Sequence, residues 1–182
     1  MWGISLPFHR NFEEVNLRFY VRRLEGPRVR RGVVFIREIV PRWLIAAVAR
    51  TCYNERYVAL PMSHQIEQDG SGLAVEYGWK FRALRNRIKV TAKGNPVLPG
   101  SGSQEQFITE HYWGYAAQED GGCIEYQVQH PPWKLWTVTD AGFEGDMEEL
   151  YGRELNAVLK RPPASAFLAE GSAVSVHRGR RL

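Results

Sequence analysis

Residues Glu14 to Arg22 alternate strictly, with Val15, Leu17, Phe19 and Val21 on one side and Asn16, Arg18, Tyr20 and Arg22 on the other. A two-residue period sends successive side chains to opposite faces of an extended strand, and a helix cannot gather such a set on one stripe. Gly26-Pro27 then turns the chain, and Gly32 to Val40, rich in Val, Ile and Phe, returns as the second arm of a hairpin.

Strand-like runs recur along the whole chain. Tyr57 to Met62 is interrupted by Pro61, which cannot donate to a ladder and implies an edge, bulge or bend. Leu73 to Phe81 and Arg87 to Ala92 follow the Gly70-Ser71-Gly72 turn, and Gly94 to Gln104 reads as a loop. His111 to Gln118 and Cys123 to His130 form a hairpin about Glu119-Asp120-Gly121-Gly122, Trp133 to Thr139 follows the Pro131-Pro132 break, and Ala173 to His177 is the last strand.

Helical spacing is confined to three places. Pro41 to Thr51 has proline in its first turn, a short helix carrying Phe107 and Ile108 starts after Ser103 with Gln106 three residues on, and Asp146 to Leu159 places Met147, Leu150, Tyr151, Leu155 and Val158 near one side. Many short antiparallel strands with two or three peripheral helices predict an α+β fold, mainly antiparallel, built as a closed or partly open β-barrel or cone. With 182 residues, no repeat and no dividing linker, one domain over residues 1–182 is expected.

The apolar run beginning at Trp43 is far too short to span a bilayer, and Met1 to Arg10 lacks the cationic start and apolar core of a signal peptide. A cytoplasmic protein with no membrane partner is expected. Cys52 and Cys123, far apart and without a CxxC pair or a nearby histidine ligand set, fit buried free thiols, and neither a metal nor a cofactor is implied.

Charge is unevenly spread. Residues 1–50 hold ten arginines against Glu13, Glu14, Glu25 and Glu38, a surplus of six in a chain whose net charge is +4. Arg22, Arg23, Arg28, Arg30 and Arg31 flank the Gly26-Pro27 turn, where they could meet phosphates. No stacking platform accompanies them in the sequence, so a solvated hairpin tip is the simpler reading and nucleic acid is not the favoured partner.

If the odd-numbered side chains of the first strand pack against helices outside, Asn16, Arg18 and Tyr20 point inward. Arg18 among aromatics would then suit a small organic carboxylate through a bidentate pair, the alternative being an internal salt bridge with Glu110 or Glu14. Glu110, His111 and Tyr112 offer an acid, a base and a hydroxyl, but on a strand His111 would point away from the other two. Tyr53, Asn54, Glu55 and Tyr57 either line the mouth of the same cavity or cap the first helix. The alternative function is an enzyme of unassigned reaction with Glu110 and His130 as acid and base, whereas in the plainer reading His130, beside the double proline, is a structural hydrogen-bonder; His9 and His64 carry less. No Gly-rich phosphate loop or nucleophile elbow is present.

Four short motifs bring a family to mind: Phe12-Glu13-Glu14-Val15-Asn16-Leu17-Arg18-Phe19-Tyr20-Val21, Ala59-Leu60-Pro61-Met62, Phe107-Ile108-Thr109-Glu110-His111-Tyr112 and His130-Pro131-Pro132-Trp133. From about Leu6 onward the chain resembles the YqjF-like proteins of bacteria, a family similar in fold to acetoacetate decarboxylase. The resemblance implies a decarboxylase-like barrel or cone and fixes no function. Read from the residues, the expected function is binding of a small organic carboxylate or ring compound in such a cavity, with Asn16, Arg18, Tyr20, Tyr57, Met62, Glu110, Tyr112 and Trp133 as ligand-binding residues. Members carry further strands ahead of the position matching Trp2-Gly3, so the resemblance also implies an open sheet edge or one covered by a second copy. An arginine is common in the family where His111 stands. The decarboxylase needs a Schiff-base lysine after a turn matching Ala59-Leu60-Pro61, where this chain has Met62 and Ser63; a thioether forms no imine, and Lys80, Lys89, Lys93, Lys134 and Lys160 lie elsewhere.

Overall fold

A computed structural model describes residues 12–182, with Cys52 and Tyr53 described by backbone alone. His9, the Trp2-Gly3 position and the side chain of Tyr53 therefore lie outside the described residues. The chain forms two compact units: one built from residues up to Ala59, Gly102–Pro132 and Ser172–Leu182, the other from Leu60–Ser101 and Trp133–Gly171.

In the first unit the alternating run becomes β1 (Val15–Glu25) and its return becomes β2 (Arg28–Val40). They join through a two-residue turn with Gly26 at φ 59° before Pro27, whose ring fixes φ negative, the sign sequence of a II′ turn. Opposite Leu17 and Arg18 the register slips so that Ile36 of β2 bulges out. Val15, Leu17 and Val21 are half-buried, Phe19 on the same face is 48% exposed, and Asn16, Arg18 and Tyr20 are exposed, so that set does not point into an enclosed interior as expected. Apolar residues of a one-sided strand bury first, whatever charge stands between them.

Helix α1 (Trp43–Tyr53) follows, starting two residues beyond the expected Pro41 and ending at Asn54, which adopts the left-handed conformation (φ 55°) and donates its backbone N–H to the helix carbonyls. Strand β3 (Tyr57–Ala59) pairs parallel with the end of β2.

The second unit is an antiparallel sheet. Pro61 ends the first half of the run expected over Tyr57 to Met62, and β4 (Met62–Gln68) continues as an edge strand beside β5 (Gly72–Phe81) and β6 (Leu84–Val97), which persists into the stretch expected as a loop. Helix α2 (Gln104–Thr109), in the first unit, begins where expected, the Ser103 hydroxyl accepting from Gln106 N at 3.2 Å. Strands β7 (Trp113–Ala117) and β8 (Cys123–Gln129) form the expected hairpin, although residues 110–112 are not strand.

Strand β9 (Leu135–Glu144) returns to the second sheet, and the amphipathic stretch after it is two helices, α3 (Glu148–Tyr151) and α4 (Arg153–Leu159). Gly152, at φ 86° and ψ 162°, breaks the single helix expected over Asp146 to Leu159 and leaves Val158 exposed. The side chains of Asn86, Asp146 and Asn156 brace this corner: Asn86 Oδ1 accepts from Asp146 N at 2.9 Å and Asn156 Oδ1 from Met147 N at 2.9 Å. Short strands β10 (Leu168–Ala169), β11 (Ser175–Val176) and β12 (Arg180–Arg181) complete the chain.

The first sheet runs β1-β2-β7-β8-β11, with β3 also on β2 and β12 also on β8; the second runs β10-β9-β6-β5-β4. Among the described residues the architecture is thus mainly antiparallel α+β with four helices, and neither sheet closes into a barrel.

Parallel pairing of β2 with β7 at Val33 and Gly114 brings backbone and aromatic rings close together. A Cβ on Gly114 would lie 2.2 Å from Tyr126 Cζ, so no larger residue fits without moving that ring. Gly114→Ala is expected to cost about 1–3 kcal/mol in urea unfolding. Gly100→Ala, which meets no atom within 4 Å, should stay within about 0.5 kcal/mol of the parent.

Candidate functional site

Counting outward from the Gly26-Pro27 turn, the β1–β2 register sets Arg23 opposite Arg30 and Arg22 opposite Arg31. Directly opposed like charges are unfavourable, so each pair needs a neighbour of opposite sign. Because alternate pairs face opposite sides of the ladder, the two pairs meet different surroundings.

The Arg23–Arg30 pair grips Glu125 of β8, a residue only 1% exposed. Arg23 Nη1 donates to Oε2 at 2.7 Å and Arg30 Nη1 to Oε1 at 2.7 Å, and Arg180 Nε and the Tyr115 hydroxyl add bonds of 2.9 and 3.1 Å. Burial alone would raise the Glu125 carboxyl, but the hydrogen bonds from Arg180, Arg23 and Tyr115 and the charge of Arg30 hold it below the usual carboxylate range. Arg30 also lies over the Trp113 ring, 4.4 Å from its centre. Removing the carboxylate leaves Arg23, Arg30 and Arg180 sharing the partly exposed Glu25, with which they pair at 3.7, 2.6 and 3.4 Å, so Glu125→Ala is expected to cost about 3 kcal/mol in denaturant unfolding.

The Arg22–Arg31 pair faces a pocket of about 670 Å³ that Tyr20, Ser103, Gln106, Phe107, Glu110 and His111 help to line. Among the described residues neither arginine has a carboxylate partner; Arg31 instead lies over the Phe107 ring at 5.7 Å. Tyr20 and Phe107 are 37% and 39% exposed, with ring centres 5.2 Å apart. An aromatic surface therefore does stand beside two hairpin arginines, contrary to the sequence reading.

His111 is wedged between those rings, 4.6 Å from Tyr20 and 4.7 Å from Phe107, and is 8% exposed. Neither ring nitrogen has a partner in bonding geometry, although the carbonyls of Phe107 and Ile108 lie near enough to favour its protonated form. Burial, followed by the charges of Arg18 and Arg31, outweighs them and lowers its pKa, leaving a neutral imidazole near neutrality. Because residues 110–112 form no strand, His111 and Glu110 share the pocket instead of facing opposite ways.

Elsewhere in this unit, Glu38, Glu55, Tyr57 and Tyr126 form a buried acid–phenol cluster reached from Glu14. Tyr57 donates to Glu14 Oε1 at 2.9 Å and also bonds Glu38, and Tyr126 donates to Glu55 Oε1 at 2.9 Å. Glu38 is 2% exposed with Oε2 unpartnered. Burial, then the Glu55 charge, pushes Glu38 up to about 9, and burial pushes Glu55 up to about 7. Glu14 retains accessible surface, yet protein packed around it raises its carboxyl as well.

Between about pH 4.5 and about 9 the folded chain therefore holds protons that the unfolded chain releases. The cluster's contribution is full at the acid end and is lost as pH rises through about 7 and then about 9. The melting temperature is expected to fall between those two values and Glu38→Gln to flatten the decline; a parent melting temperature constant across that window would contradict this.

The sequence candidates are dispersed. Tyr20 and Glu110 line the arginine pocket, while Arg18 stands over Tyr20 at 5.7 Å and donates to the Ile108 carbonyl at 3.4 Å, not to Glu110 or Glu14. Asn16 is exposed and bonds Glu14, and Tyr57 belongs to the acid cluster. Tyr112 and His130, with ring centres 5.1 Å apart, line a separate hollow with Trp113, Gln127 and Gln129, so Glu110 and His130 sit in different pockets. Met62 and Trp133 belong to the second unit, where Met62 lines a hollow with Ser63, Trp79 and Arg87. Asn54 caps α1, Glu55 is buried, and Cys123 is a half-buried free thiol. Sequence reasoning missed the pocket roles of Arg22, Arg31 and Phe107, although the register from the turn was a usable signal for the two arginines.

These features define a β-rich α+β protein with a basic, aromatic-lined pocket; no helix among the described residues is long and apolar enough to cross a membrane. The model of the DUF2071 family, described as an uncharacterized conserved protein, matches residues 1–173, and the chain belongs to that family. No curated protein matches the chain. Among the described residues no group of three or more His, Cys, Asp or Glu could hold a metal ion.

Proposed function

We propose that the protein binds a small ring-bearing organic carboxylate in the pocket between the β1–β2 ladder and α2. The observation that supports this best is the Arg22–Arg31 pair, which has no carboxylate among the described residues and stands beside the exposed Tyr20 and Phe107 rings. Two guanidiniums supply the charge-assisted bonds that a carboxylate takes, and the rings supply apolar area for its body. Arg18, first considered as the anchor, holds the end of α2 in this reading.

The finer family reading belongs to the same proposal: a YqjF-like protein that shares with acetoacetate decarboxylase a manner of folding and not its chemistry. Met62, which cannot form an imine, is the reason for that division.

Calorimetric titration of the full chain with 3-phenylpropionate is expected to show saturable binding, weakened at least about tenfold in Arg31→Ala. Benzyl alcohol, which has the ring but no charge, should not bind measurably. Absence of saturable binding by 3-phenylpropionate, or equal binding by Arg31→Ala, would overturn the proposal.

A further inference from the structure

The pocket contains charges of both signs that do not neutralise each other. Glu110, half-buried at the end of α2, is held in place by a relay of amides: Gly102 N donates to Gln106 Oε1 at 2.7 Å, and Gln106 Nε2 donates to Glu110 Oε2 at 3.2 Å. That leaves the second carboxylate oxygen without a partner among the described residues, and no ion pair joins Glu110 to Arg22 or Arg31 although all three line one pocket. The pocket therefore presents a carboxylate and two guanidiniums that are free to meet groups of the opposite sign on one bound molecule.

The other face of the same ladder shows what an opposed arginine pair does when a carboxylate is present. Arg23 and Arg30 each take one oxygen of Glu125 at 2.7 Å. Arg22 and Arg31 have the same cross-strand relation one residue further along the ladder, so their matching occupant is also a carboxylate, supplied from outside. That occupant satisfies only one end of the pocket. Among the described residues Glu110 has no cation paired with it, the Tyr20 and Phe107 rings keep more than a third of their surface exposed, and the neutral His111 between them adds no charge that would answer Glu110.

We infer that the ligand carries both signs on an aromatic frame: an aromatic amino acid, or another ring compound bearing an ammonium group as well as a carboxylate. The carboxylate meets Arg22 and Arg31, the ammonium group meets Glu110, and the ring lies on Tyr20 and Phe107. Such a compound fits well within the volume of about 670 Å³. The two arginines outweigh Glu110 by one charge, so the carboxylate supplies most of the attraction and the ammonium group supplies selectivity. This inference rests on the small-carboxylate reading of the pocket and narrows it.

The test compares L-phenylalanine, 3-phenylpropionate and phenethylamine, each titrated into the full chain. Phenylalanine is expected to bind about tenfold more tightly than 3-phenylpropionate, and phenethylamine more weakly than either. In Glu110→Gln, which keeps an acceptor for Gln106, the advantage of phenylalanine should vanish while the affinity for 3-phenylpropionate is unchanged or improved. Parent protein that binds 3-phenylpropionate as tightly as phenylalanine overturns the zwitterion and leaves the carboxylate site standing. A parent that binds neither acid overturns both. Because the comparison among ligands is made on the parent, it decides the matter even if the variant fails to fold.

Discussion

Glu125 is a fully enclosed carboxylate, and the first unit is arranged around the need to neutralise it. An isolated buried charge costs several kcal/mol, so its two oxygens are divided among Arg23 and Arg30 from the first hairpin, Arg180 from the C-terminal strand and the Tyr115 hydroxyl from β7. These contacts join segments more than 150 residues apart in sequence, since Arg180 also pairs with Glu25 at 3.4 Å. Swapping such a network for apolar groups can be neutral, whereas breaking it at one member is costly, so its clearest effect is to fix the register of the first hairpin against β8.

That register settles the chemistry of the opposite face. Once Arg23 and Arg30 are turned toward Glu125, strand alternation turns Arg22 and Arg31 the other way, onto the side where α2 and His111 lie. The internal ion network and the pocket are thus two faces of one ladder. The rings of Tyr20, Phe107 and His111 line the same side as these arginines and give the pocket apolar surface next to its charge.

Much of the strand content was legible because period-two alternation, as in Val15 to Val21, depends only on neighbours in sequence. The Ser103 cap of α2 and the hairpin around Gly121 were readable for the same reason. Gly152 was present in the sequence, but a helical stripe tolerates one glycine, and only the corner formed by Asn86, Asp146 and Asn156 shows why the backbone turns there. The acid–phenol cluster was not legible at all. It assembles from β2, the end of α1, β3 and β8, and pairings such as Glu38 beside Tyr57 in a parallel ladder leave no local pattern. Orientation of β1 failed for a related reason: alternation defines two faces without saying which is covered.

The order in which a chain emerges from the ribosome gives the Arg180 contact another meaning. The second unit is drawn from Leu60–Ser101 and Trp133–Gly171, so all its residues are synthesised before Ser172–Leu182, which the first unit still needs. Until residues 175–181 are released, Glu125 has its two hairpin guanidiniums and lacks the third, and the edge of β8 that receives Ser175–Val176 and Arg180–Arg181 stays unpaired by them. The β1–β2 hairpin is thus made before the second unit and completed after it, and the newly made chain spends the interval with an open strand edge.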